Sequence, residues 1–261
     1  MNYKFLFLIG SSLHHFNEGN ISAYKTEQRF EQTLETLKCV REKVPNAYLC
    51  VFECSQFPIE EKYREKLIQD TDLFVEYYDE PGMKIIYENL IKKPEAFTYG
   101  KSLLETRGLI NILHQMKREN IFSDVQRVFK LTGRYKLNDD FKIKDYESRF
   151  LENHYVMKTY EYLPKEHLYY NGKEMDNVYA YLYGSKGMMV TGLWSFDRML
   201  FNDTLSALEQ SFYYMEKMIQ YTFGTDIEHS LYRFLNHKNI LHISNLGLNV
   251  NKGMDGDTYS I

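Results

Sequence analysis

Of the 261 residues only 5 are proline and 14 glycine, which excludes a collagen-like repeat and a Pro/Gly-rich disordered chain. Cysteine is scarce as well. Cys39, Cys50 and Cys54 form an odd, irregularly spaced set, which argues against a disulfide framework and lacks the fourth ligand of a zinc site. Nor is there an excess of positive charge. Lys and Arg number 32 against 36 Asp and Glu, a net charge of −4, so a protein that coats nucleic acid by neutralising phosphates is excluded, while a local basic site is not. No apolar run approaches a membrane span. Phe5 to Ile9 is far too short and carries no small-residue cleavage site, so the expectation is a cytoplasmic protein without a transmembrane segment. What the chain has in plenty is aromatic rings, 23 Tyr and 17 Phe against a single Trp, which suit a glycan, a nucleobase or a β-rich core equally well.

Lys4 to Ile9 ends at Gly10-Ser11-Ser12, as a strand buried on both faces and followed by a loop would. From Thr26, the residues Phe30, Leu34, Leu37, Val40 and Val44 recur at helical spacing until Pro45-Asn46 stops them. Tyr48 to Cys54 and Asp72 to Tyr78 are further strands around a charged segment from Glu60 to Gln69, so the alternation is βαβαβ and favours a parallel sheet covered by helices. Asp79 to Gly100 reads as an irregular connection or a lid. Lys101 to Lys117 resumes helical spacing and leads to a strand at Val125 to Leu131. In the second half, short Tyr-rich strands are expected at His154 to Tyr160, Val178 to Tyr183 and Met188 to Trp194, separated by Asn171-Gly172, Gly184 and Gly187. Helices are expected at Arg198 to Tyr221 and Asp226 to Asn236. With no repeat or linker, residues 1–261 read as a single domain.

The constellation richest in chemistry is Phe129-Lys130-Leu131-Thr132-Gly133-Arg134-Tyr135. A strand there delivers a glycine that permits close backbone approach and an arginine that can grip a phosphate bidentately, at the sheet edge where α/β proteins bind ligands. Together with Arg29-Phe30-Glu31-Gln32-Thr33-Leu34-Glu35-Thr36-Leu37, Glu53-Cys54-Ser55 and Lys101-Ser102-Leu103-Leu104-Glu105, in that order, it resembles the GT-A-fold nucleotide-sugar glycosyltransferases. Within that family it is similar to the divergent enzymes of bacterial and viral surface-glycan (lipopolysaccharide or capsule) synthesis.

The resemblance implies a Rossmann-type, mostly parallel sheet flanked by helices. Residues 1–140 would form the nucleotide-sugar-binding half and residues 141–261 a smaller mixed β/helical acceptor half. Ser11, Ser12, Glu53 and Ser55 would lie near the nucleoside and Lys101 and Arg134 near the diphosphate, with Glu105, Lys130, Thr132 and Gly133 also on the donor side. Lys101 follows Gly100 at an expected helix start, a place that itself favours anions. The family's usual metal site, an Asp-x-Asp after the fourth strand, is replaced by Thr132-Gly133-Arg134. Asp139 and Asp140 follow as candidate ligands for Mn²⁺ or Mg²⁺, while Asp70-Thr71-Asp72 and Asp255-Gly256-Asp257 match the letters in other settings. Metal dependence is therefore expected to be weak, with Arg134 neutralising part of the donor's charge.

For an acceptor, a glycan or lipid-linked glycan, Trp194 offers a stacking platform and Asp197 a hydrogen-bonding partner. Asp226 and Glu228 are the candidate general bases, although Thr225 and Glu228 also have the spacing of a helix capping box. His229, His237 and His242 cluster in sequence without a zinc signature. The competing reading is a non-catalytic carbohydrate- or nucleotide-binding module on the same fold. A methyltransferase is disfavoured because only Gly10-Ser11-Ser12 stands where a Gly-x-Gly would follow the first strand, and a nucleotidyltransferase because paired metal carboxylates are missing.

Overall fold

The computed structural model describes residues 4–14, 23–92, 97–161, 167–170, 173–176, 187–219, 225–251 and 258–261. Strand β1 (Phe5–Ser11) sends alternate side chains to opposite faces, as the two-residue period of a strand requires. Phe5, Phe7 and Ile9 enter one apolar cluster and Leu6 and Leu8 the other, so the sheet has a core on each side. Helix α1 (Thr26–Lys43) covers the first face with Phe30, Leu37 and Val40 and stops before Pro45. Strand β2 (Tyr48–Glu53), helix α2 (Glu61–Asp70) and strand β3 (Leu73–Glu76) continue the winding, with β2 parallel to both β1 and β3.

Most of the segment expected to be irregular is helical. Helix α3 (Pro81–Lys92) buries Met83, Ile86, Tyr87 and Leu90, and helix α4 (Phe97–Glu119) already begins before Lys101. The apolar spacing of three and four was present in the sequence, but Pro81 and Gly82 read as turn residues; proline is well tolerated in a first helical turn. Helix α4 lies on the second face, close enough that a Cβ on Gly108 would stand 2.6 Å from the Cys54 sulfur. That approach brings Glu105, one turn earlier, over the end of the next strand.

Strand β4 (Arg127–Thr132) returns beside β1, in parallel. After it come β5 (Lys136–Leu137) and, in the second half, β6 (Tyr155–Met157), β7 (Thr159–Glu161), β8 (His167–Tyr170), β9 (Lys173–Asp176), β10 (Gly187–Met189) and β11 (Leu193–Asp197). Helices α5 (Phe201–Ile219) and α6 (Ile227–Phe234) follow, then β12 (Ile240–His242), β13 (Leu248–Asn251) and β14 (Thr258–Ser260). The expected strand at Val178–Tyr183 and the turns at Asn171-Gly172 and Gly184 lie outside the described residues, as does Asp255-Gly256-Asp257.

The main sheet has seven strands in the order β12-β6-β11-β4-β1-β2-β3. Strand β11 is antiparallel to both neighbours and β12 is parallel to β6, so β11 alone runs against the rest. The expected strand from Met188 to Trp194 is broken at Val190–Gly192 into β10, which pairs with β7, and β11. This break matters. The carboxyl ends of β1, β2 and β4 and the start of β11 all meet at one edge, where the Thr132 amide donates to the Gly192 carbonyl at 3.0 Å. No helix among the described residues is long and apolar enough to cross a membrane.

A cation-lined cleft at the carboxyl edge of the sheet

A cleft of about 770 Å³, part of it open to solvent, lies at this edge. Its wall runs from Gly10, Ser11 and Ser12 after β1 to Thr132, Gly133 and Arg134 after β4. Three cations line it: Arg29 from α1, Lys101 from α4, and Arg134. Burial, then the charges of Arg29 and Arg134, pushes the Lys101 ammonium down to about 8, the direction expected of a buried amine among like charges. Among the described residues neither Lys101 nor Arg134 has an ion-pair partner. Arg29 is buried, and its Nη1 donates to the Ser12 carbonyl at 2.8 Å. The sequence marked the stretch from Arg29 to Leu37 as a landmark of the resemblance but gave Arg29 itself no role.

The turn that presents Arg134 is fastened from behind. The Gly133 amide donates to the Gly10 carbonyl at 2.9 Å, and the Thr36 hydroxyl lies 3.1 Å from the Gly133 carbonyl and 3.0 Å from that of Tyr135. A Cβ on Gly133 would stand 2.9 Å from the Gly10 oxygen, a backbone atom that cannot swing away. Gly133→Ala is therefore expected to destabilise the protein by about 1–3 kcal/mol in urea unfolding, and an unchanged midpoint would show that the turn has slack.

Lys130 is only 1% exposed although it is a lysine. In β4, Phe129 and Leu131 face the α1 side, so Lys130 and Thr132 face α4. The Lys130 ammonium is ion-paired with Glu105 and donates to the Thr132 hydroxyl at 2.9 Å and the Thr191 carbonyl at 2.7 Å. The Thr191 hydroxyl in turn donates to Glu228 Oε1 at 3.3 Å. Burial, then the charge of Asp226, raises the Glu228 carboxyl to about 7. Glu228 does not itself line the cleft: Thr191, whose carbonyl accepts from Lys130, links it to this edge, where burial raises the Tyr135 phenol to about 12.

The structure gives the two acids different surroundings. Asp226 is the helix cap: it accepts from the His229 amide at 3.0 Å and contacts His229 Nδ1 at 2.6 Å, so no Thr225–Glu228 capping box forms. Glu228 is left free of capping duty. Trp194 is no stacking platform, because it is 1% exposed and packs against Phe196 in a strand covered on both faces. Asp197 cannot reach an acceptor at this edge either. It pairs in register with Arg127 at the opposite end of β4, roughly 16 Å away at 3.3 Å per residue, and caps the following turn by accepting from the Met199 amide at 2.9 Å.

Of the residues assigned to the donor, Ser11, Ser12, Lys101, Glu105, Thr132, Gly133 and Arg134 line the cleft, and Lys130, Glu53 and Ser55 do not. Glu53 accepts from the Leu13 amide at 3.0 Å and the Ser55 amide at 2.9 Å, while the Ser55 hydroxyl accepts from the His14 amide at 2.8 Å. These two buried side chains hold the loop after β1 in shape. Burial raises the Glu53 carboxyl, and hydrogen bonds from Ser55, Ser11 and Leu13 partly offset the rise.

The metal that the resemblance implies does not fit the donors at this edge. Glu105 is the one carboxylate among the described residues lining the cleft, and Lys130 occupies it. Asp139 is fully exposed and ion-paired with Lys43 at 3.1 Å, and Asp140 accepts from Asn245 at 3.0 Å beside a different cavity. Asp72 is spent on Arg41 and the Leu49 amide. The three histidines are spread over separate contacts, His229 with Asp226, His237 with the Tyr232 carbonyl and His242 with Thr159. Among the described residues no three His, Cys, Asp or Glu side chains gather as a metal site.

No protein-family model matches the chain, and no curated protein matches it in sequence. Solved structures do match in three dimensions. Core-mannan synthase A (CmsA/Ktr4) from Aspergillus fumigatus, in its Mn/GDP form, aligns with a TM-score of 0.51 at 11% identity, over 95% of this chain and 74% of its own. Galactosyltransferase LgtC, in complex with donor and acceptor sugar analogues, gives 0.52 at 10% identity over 91% and 72%. The mannosyltransferase Ktr4p from S. cerevisiae in complex with GDP gives 0.50 at 10% identity over 94% and 72%. At such identity the likeness is one of architecture, and it agrees with the strand order around the cleft. The chain has the GT-A fold, the mostly parallel α/β sheet of these glycosyltransferases.

Proposed function

We propose that the protein transfers a sugar from a nucleoside-diphosphate donor to a hydroxyl of a glycan or lipid-linked glycan. The observation that carries this reading is the cation-lined cleft at one sheet edge, with the Glu228 carboxyl joined to that edge through Thr191 and Lys130. The cations come from residues 1–140, proposed as the donor half, and Glu228 with Thr191 from residues 141–261, proposed as the acceptor half. In the proposed step Glu228 takes the proton as the acceptor O–H bond breaks. The oxygen bonds to the sugar's anomeric carbon, and the bond from that carbon to the phosphate oxygen breaks with its electron pair left on the diphosphate. A base poised near the working pH suits this task, because about half of it is ionised and it still attracts a proton. The cations act on the leaving group, whose charge grows by one as it departs. The reading as a non-catalytic module leaves Glu228 without a task.

Thermal shift against UDP-, GDP-, CMP- and dTDP-sugars, followed by turnover with water or saccharide acceptors, tests the proposal. One diphosphate donor class at 100 times its Kd is expected to raise Tm by about 5–10 °C. No shift with any donor would refute the reading, and binding without turnover under any condition would favour the module.

A further inference from the structure

We propose that the cleft grips its donor diphosphate directly through Lys101 and Arg134, with no divalent ion between protein and phosphate. This inference rests on the nucleotide-sugar reading. A metal needs a set of carboxylates turned toward the phosphates, and this edge supplies the opposite charge. Where the family pattern would place acidic ligands after β4, the chain has Thr132-Gly133-Arg134. Glu105, the carboxylate on the wall, is held by a lysine that is itself buried to 1% exposure, so recruiting it as a metal ligand would strand that ammonium inside the protein.

The cations, by contrast, are brought together against their own repulsion. They come from three separate elements and line one wall, and Lys101 is lowered by burial, then by Arg29 and Arg134. Tyr87 from α3, Cys54 after β2 and Glu105 from α4 are the other titratable groups among the described residues lining the cleft, and Glu105 is already neutralised. An anion entering among the three relieves the repulsion. A diphosphate presents two linked phosphates, one for Lys101 and one for Arg134, where a nucleoside monophosphate presents one. The Arg134 guanidinium can chelate a pair of phosphate oxygens, and the Lys101 ammonium acts as a point charge beside it.

The test is calorimetric titration of UDP, GDP, CDP, dTDP and CMP into the full chain at pH 7, in EDTA and then with Mn²⁺, for the parent and for Arg134→Gln and Lys101→Gln. Circular dichroism melts establish that the variants are folded. Arg29 is left intact because it also holds the Ser12 carbonyl. The expected result is that one diphosphate binds equally well with EDTA or Mn²⁺, that each variant binds about tenfold or more weakly, and that affinity falls with salt. Binding strengthened tenfold or more by Mn²⁺, parental affinity in both variants, or binding of CMP alone would each overturn the inference and leave a nucleotide-sugar site standing. Absence of binding by every nucleotide in both conditions would instead remove the nucleotide-sugar reading, and this inference with it.

Discussion

Glu228→Gln is expected to lower the rate of sugar transfer by about 10²- to 10⁴-fold while leaving nucleotide affinity unchanged. The amide keeps the shape of the side chain and can still meet the Thr191 hydroxyl, but it cannot take a proton. The pH profile carries the same signature. Glu228 acts as a base only when ionised, so kcat should rise with pH through about 7. In kcat/KM a second limb should appear, falling above about 8 as Lys101 loses its charge in the free enzyme. Stability moves in the opposite direction from activity. The folded protein holds the Glu228 proton more tightly than the unfolded chain, whose carboxyl titrates near its ordinary 4.5. The parent therefore loses stability relative to Glu228→Gln as pH climbs from about 4.5 to about 7, and the gap is constant above that. A variant that transfers sugar at the parental rate, or that is less stable than the parent at pH 8, would return Glu228 to a structural role.

The second large effect concerns Lys130. Lys130→Met replaces the buried ammonium by an apolar side chain of similar length, leaving Glu105 without its counter-charge and the Thr191 carbonyl and Thr132 hydroxyl without their donor. Removing one partner of a buried pair typically costs about 3–5 kcal/mol. Because Glu105 keeps about a quarter of its side-chain surface in water (26%), the lower end of that range, about 3 kcal/mol, is expected from urea unfolding. Lys130→Met combined with Glu105→Gln should recover most of the loss, since no unpaired charge is then left inside. Equal stability of Lys130→Met and the double variant would mean that the loss does not come from a stranded Glu105 charge.

How far the sequence reached can be judged element by element. Strands β1, β2 and β4 and helix α1 were legible because each is long enough for its hydrophobic period to outweigh local noise, and because Pro45 marks a boundary by its own covalent geometry. The sequence likewise brought Lys101 and Arg134 to one edge, since in a parallel α/β sheet the strand direction determines where the loops meet. Helix α3 was missed because residues common in turns stood at its start. Strands β5, β12, β13 and β14, only a few residues each, carry no period to read.

The tertiary structure alone decided the state of each polar group. Trp194 and Asp197 carry the letters of a sugar site, but one strand running against its neighbours buries the first and sends the second to the far end of the sheet. Asp226 and Glu228 stand two residues apart, and the choice of which caps the helix depended on where the α6 backbone begins. Lys130 became internal because its side chain points to the face on which Gly108 lets α4 approach, and Arg29 joined the cleft because α1 crosses the end of β1. Periodicity and covalent geometry are local and survive in a one-dimensional reading. Charge state, burial and pairing depend on distances between residues up to a hundred positions apart, and those exist only once the chain has folded.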